Sequence, residues 1–146
     1  MQCKVTEVYA PDFLTRLSLP LFGSRVAAGF PSPADDYIEG RIDLNKELIR
    51  HPSFTFCVRV QGDSMETTIR PNELLIVDRM PETRDDDIIV AWYEGEFCVK
   101  RLKFLDDGSI WLYSDNRKYK PMKVAADSDF EIWGLVLHTV QSFRRV

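Results

Sequence analysis

From Phe54 onward the apolar residues fall into short runs separated by turn signals roughly ten residues apart, a spacing that points to an all-β barrel or sandwich. Phe54-Thr55-Phe56-Cys57-Val58-Arg59-Val60 alternates and is rich in β-formers. Glu73 to Asp78 contains a continuous apolar run, the pattern of a strand buried on both faces. Asp87 to Tyr93, a Glu94-Gly95 turn and Glu96 to Lys103 predict a hairpin. Ser109 to Ser114 predicts another strand, and Phe130 to Val140 a long one with a bend at Gly134.

Upstream the pattern is different. Val5, Val8, Tyr9, Phe13, Leu14, Leu17, Leu19, Leu21 and Phe22 are scattered around Pro11 and Pro20, and neither a period of two nor one of 3.6 persists. This stretch reads as an extended arm that must lie on its own domain or on a partner. Ala27-Ala28-Gly29-Phe30-Pro31-Ser32-Pro33 follows, an open connector stiffened by its prolines. Ser32, Pro33 and Asp35 fit the start of a short helix that stops before Gly40. Asp43 can cap a second short helix through Leu44, Leu48 and Ile49. The fold expected is mainly β, a compact barrel or sandwich with short helices and an extended N-terminal arm.

Composition narrows the function. Of 146 residues, 45% are hydrophobic and 29% charged, which is the balance of a globular chain. The formal net charge of −4 and the absence of a basic face argue against direct DNA binding. Cys3, Cys57 and Cys98 are odd in number and far apart, so no disulfide framework is expected. With His51 and His138 the only histidines, no metal site and no cofactor are expected. There is no signal peptide pattern and no apolar segment of bilayer length. A soluble, cytoplasmic, reducing setting is expected.

Two places carry candidate chemistry. Gly62-Asp63-Ser64-Met65 lies just past a predicted strand. A serine on such a tight turn can present its hydroxyl where backbone N–H groups converge, the arrangement of a nucleophile beside an oxyanion hole. Most serines in such turns are only turn residues. The second place is Lys100. On a strand it shares a face with Cys98 and Leu102. A strand lysine ordinarily lays its stem on apolar surface and extends its ammonium to water. Held dry instead, its pKa falls from about 10.4 by as much as ~3–5 pH units, into the range of a general base.

Six stretches, taken in order, resemble UmuD-like proteins of the LexA/UmuD family of autoproteolytic serine peptidases. They are Pro20-Leu21-Phe22, Gly29 to Tyr37, Arg41-Ile42-Asp43-Leu44-Asn45, Gly62-Asp63-Ser64-Met65, Leu74 to Asp78 and Gly95 to Lys100. Each alone is unspecific; the ordered set, with a serine and a lysine 36 positions apart, is specific. The segment before Pro11 matches less well, and the loop from Met65 to Asn72 is shorter and poorer in glycine than the family's usual form.

The resemblance implies that Ser64 is the nucleophile and Lys100 the general base. It implies cleavage of the Ala28–Gly29 bond, with backbone N–H groups of Asp63, Ser64 and Met65 holding the oxyanion and Val26, Ala27 and Phe30 contacting the cleft. Residues 1–28 would be the arm removed, and residues 29–146 the Ser-Lys protease and dimerisation domain. It further implies stimulation by a RecA filament on single-stranded DNA, a homodimer, and service to a UmuC-like translesion polymerase in the SOS response. Phe22, Phe30 and Phe143 are candidates for the dimer contact. Two rival readings stay open on residues alone: a non-cleaving binding module, and a mobile-element regulator of the same fold that docks RecA, a polymerase or a repressor. A signal-peptidase role is disfavoured because no membrane anchor is present.

Overall fold

A computed structural model describes residues 2–10, 18–22 and 38–144. Ten strands run through them: Lys4–Tyr9 (β1), Ser18–Phe22 (β2), Ile38–Asp43 (β3), Thr55–Gln61 (β4), Leu74–Asp78 (β5), Ile88–Tyr93 (β6), Glu96–Phe104 (β7), Ile110–Tyr113 (β8), Met122–Lys123 (β9) and Phe130–Val140 (β10). One helix, Leu44–Leu48 (α1), follows β3, with the Asp43 carboxylate accepting from the Asn45 N–H as its cap. The mainly β expectation holds.

The main sheet runs β1-β4-β5-β10-β6-β7-β8-β9, and β1 also pairs with β7. That extra pairing closes β1, β4, β5, β10, β6 and β7 into a barrel, so β1 is its last stave. All these pairings are antiparallel, as short hairpin-type connections favour. β8 and β9 extend the sheet past β7. β2 and β3 form a separate two-stranded ladder.

Alternation along the strands sorts the apolar side chains into two clusters. One gathers Val58, Val60, Leu75, Val77, Val90 and Val99 from the barrel strands, joined by Cys3, Met65 and Ile69. The other takes the opposite face of β6, β7 and β8: Ile89, Ala91, Cys98, Leu102 and Leu112. Lys100 belongs by position to this second face, between Cys98 and Leu102.

Three elements differ from the sequence expectation. Lys4–Tyr9, in the extended arm expected to lie on its own domain or a partner, lies on its own domain as a paired barrel strand that no sequence period marked. Gly40 lies inside β3 instead of ending a helix, and the Ser32 helix start lies outside the described residues. The short β9 has too few residues to show a period. The bend at Gly134 is present as a register shift between Ile132 and Gly134, with a second between Val136 and His138.

Candidate active site

The turn after β4 is built around Gly62, whose φ of +93° suits glycine. Ser64 follows two residues later and is fully buried. Met65 and Ile69, both in the barrel core, pin the loop from its far side, and the Ile69 N–H donates to the Met65 carbonyl at 2.9 Å.

A second loop clamps this turn. The Asn116 N–H donates to the Ser64 carbonyl at 2.9 Å, and Asn116 Nδ2 donates to the Asp63 carbonyl at 3.0 Å. The Asp63 carboxylate accepts from Lys118 Nζ at 2.7 Å and from the Tyr119 hydroxyl. The bond from Lys118, then that from Tyr119, holds the Asp63 carboxyl far below the usual carboxylate range.

Lys100 projects from the middle of β7 and is only 2% exposed. Its Nζ donates to Ser114 Oγ at 2.7 Å and to the Gln2 side-chain carbonyl. Burial lowers its pKa, and the Cys98 and Cys3 thiols oppose that shift only in part. Burial also pushes the Cys3 thiol up to about 12, so Cys3 stays a neutral neighbour.

One dipeptide joins the two groups. The Cys3 N–H donates to Ser64 Oγ at 2.5 Å, while Gln2 accepts from Lys100 Nζ. The Cys3 carbonyl accepts from the Val99 N–H at 3.1 Å, one residue from Lys100. Nucleophile-type hydroxyl and dry amine therefore share one buried neighbourhood, and the segment leading into β1 fills the space between them. A hollow of about 180 Å³, lined in part by Gln2, Lys4, Cys98 and Lys100, adjoins the amine.

A family model described as Peptidase S24-like matches residues 20–137, most of the chain. The chain belongs to the Peptidase S24-like family. Among its relatives, Protein ImpA of Salmonella typhimurium is 37% identical over 128 residues, covering 87% of this chain and 86% of that protein. Protein MucA of Escherichia coli is 37% identical over 125 residues, covering 84% of each. LexA repressor 1 of Xanthomonas oryzae pv. oryzae is 42% identical over 121 residues, 82% of this chain and 58% of the repressor. Within the S24 peptidases this is a UmuD-like member of the LexA/UmuD group, as its motifs implied.

Asp63, Ser64 and Met65 thus sit on one turn, and Lys100 is linked to it through the Gln2-Cys3 dipeptide. Val26, Ala27, Ala28, Gly29 and Phe30 lie outside the described residues. Phe143 is 91% exposed; the Phe22 side chain and Phe30 are not described. His51 pairs with the buried Asp78 at 2.6 Å. Among the described residues no group of three His, Cys, Asp or Glu could hold a metal, and no helix is long and apolar enough to cross a membrane. Sequence reading missed Ser114, Asn116 and Gln2. Ser114 and Asn116 look like ordinary polar residues after a strand, and only the folded sheet sets them against Lys100 and Ser64.

Proposed function

We propose that this S24 family member is a serine endopeptidase acting on its own Ala28–Gly29 bond. The carrying observation is the pairing of Ser64 Oγ and Lys100 Nζ with the two halves of one dipeptide, half-buried Gln2 and buried Cys3. Neutral Lys100 takes the Ser64 proton as Oγ attacks the Ala28 carbonyl carbon. Backbone N–H groups around Asp63, Ser64 and Met65 receive the oxyanion. The Ala28–Gly29 C–N bond breaks, and protonated Lys100 gives its proton to the departing Gly29 amine. Water, deprotonated by Lys100, then hydrolyses the Ser64 ester. Ser114 fixes the rotation of the Lys100 amine, and Asn116 and Asp63 hold the nucleophile turn. Ala28 suits a shallow subsite and Gly29 lets the backbone approach closely.

By family likeness, a RecA filament on single-stranded DNA stimulates the cut in the cytoplasm. The chain is a dimer before and after the cut, and the product, residues 29–146, then serves a UmuC-like translesion polymerase in the SOS response. A second reading has an observation in its favour: a chain whose cleft stays filled by Gln2 and Cys3 would be a docking module that is never cut.

Intact-mass spectrometry of purified protein incubated at alkaline pH separates the two. Self-cleavage after Ala28 should speed up as Lys100 loses its proton. Ser64→Ala should abolish it and Lys100→Ala should slow it by ~10²–10⁴-fold. Gly29→Lys should block it with the barrel intact. A chain that stays whole leaves the docking module, and cutting that survives Ser64→Ala points to another protease.

A further inference from the structure

The space a scissile peptide needs is already taken. A carbonyl carbon must come within about 3–3.5 Å of Ser64 Oγ to react. The Cys3 amide nitrogen stands 2.5 Å from that oxygen, and Gln2 holds the Lys100 amine. Two peptide segments cannot occupy this position together.

The occupying segment is also the barrel's weakest stave. Of β1, only Lys4 and Val5 are half-buried; Thr6 to Tyr9 are exposed, with Val8 at 51% and Tyr9 at 46%. Its register is interrupted between Val5 and Glu7. Its side-chain ion pairs, Lys4–Glu96 at 3.0 Å and Glu7–Arg59 at 3.7 Å, are solvent-exposed and so contribute little. Beyond Cys3 in the barrel core and Val5 packed against it, what holds the segment is backbone pairing to β4 and β7. Segments with few buried apolar contacts open at the low end of a protein's stability range.

We infer that β1 is a gate: the chain rests with Gln2, Cys3 and β1 closing the cleft, and self-cleavage begins when β1 leaves. Its departure bares the edges of β4 and β7, which present unpaired N–H and C=O groups. An extended segment can add to such an edge as a replacement strand. Cleavage rate is then set by the open fraction as well as by Lys100 protonation. This inference rests on the catalytic reading above, so its test must fail separately from it.

Tyr9 faces Cys57 directly across the β1–β4 ladder. Cross-strand partners have Cβ atoms about 4.5–5.5 Å apart, close to what a disulfide spans. Tyr9→Cys, oxidised and verified by peptide mapping as a 9–57 bond, staples the gate shut. Cleavage at alkaline pH should fall at least ~10-fold in the stapled form and return on reduction, whereas equal rates overturn the gate while leaving the dyad standing. Cys3→Pro removes the N–H that reaches Ser64 and should raise the rate by about tenfold, the scale of one or two lost hydrogen bonds. An independent readout needs no catalysis. In native-state hydrogen exchange the β1 amides of Gly29→Lys protein, which keeps the Cys3–Ser64 contact, should exchange at least ~10-fold faster than those of β5 and β10. Exchange of β1 at the rate of the barrel core overturns the inference whatever the cleavage assay shows. Cutting that persists in Ser64→Ala overturns the dyad and leaves the gate to be judged by exchange alone.

Discussion

A lysine amine with 2% exposure for its residue is held where its charged form is disfavoured, and folding must bear that cost. The lowered pKa of Lys100 means that, between its folded value and the ordinary lysine value, the unfolded chain binds the extra proton. Stability therefore rises with pH through that window, and the penalty is full below it. Lys100→Met keeps the length and removes the penalty. Its melting temperature should exceed the parent's near neutral pH, by roughly 2–4 °C for each kcal/mol relieved, with the gap shrinking as pH rises toward the ordinary lysine range. A gap that stays constant from neutral to alkaline pH would count against a dry, charge-averse Lys100. Ser114→Ala tests the partner. Losing the acceptor at 2.7 Å leaves the amine oriented by Gln2 alone, and the plateau cleavage rate should drop about 10–100-fold. The ammonium also loses an acceptor, so the inflection of the pH–rate profile should move to lower pH, and Ser114→Thr should restore both. A smaller amplitude with an unmoved inflection would mean only structural damage. Lys100 was legible because strand alternation put it between Cys98 and Leu102. Ser114 was not, because nothing in the sequence shows which strand lies beside which.

At the scale of elements, legibility followed the distance between partners. β6 and β7 are joined by the Glu94-Gly95 turn, with Gly95 at φ +85° and Glu94 at φ +49°, and both strands were readable from local pattern. β1 pairs with β4, about fifty residues on, and its outer half stands in solvent, so no alternation marks it. β2 carries Pro20, which hides a strand from propensity reading, yet it pairs with β3 throughout. β10 shows the opposite case, where one residue announces the geometry. Gly134 lies at a register shift, and a Cβ there would come within 2.6 Å of Val77 Cγ1. Val77 is fully buried in the barrel cluster and has little room to yield. Gly134→Ala should destabilise the chain by about 1–3 kcal/mol, read as an earlier denaturation midpoint with an unchanged slope. Wild-type stability would show that β10 can slide to make room, and the bend would then be a consequence of sequence elsewhere.

For the molecule as a whole, hydrolysis at Ala28–Gly29 would cut the covalent path without cutting the sheet. β1 and β2 lie before the bond, and every strand they pair with lies after it: β4 and β7 for β1, β3 for β2. Eleven register pairs, five in each of the β1–β4 and β2–β3 ladders and one between β1 and β7, therefore span the break. Before cleavage those ladders form within one chain, at an effective concentration set by the connection; afterwards they hold only by their own affinity. The fragment of residues 1–28 should remain bound just after the cut and leave on dilution. Native mass spectrometry at high protein concentration should show both pieces travelling together, and size-exclusion at decreasing concentration should show the fragment separating. Low urea should speed that separation well before the barrel core unfolds, because β1 buries so little apolar surface. Its departure exposes the edges of β4 and β7 permanently, which turns a reversible opening into a lasting strand-binding surface. Under this account the new surface appears with fragment release and lags behind bond cleavage. Partner binding that rises in step with bond cleavage, or a fragment already free at the earliest time point at high concentration, would show that the ladders do not hold the pieces together.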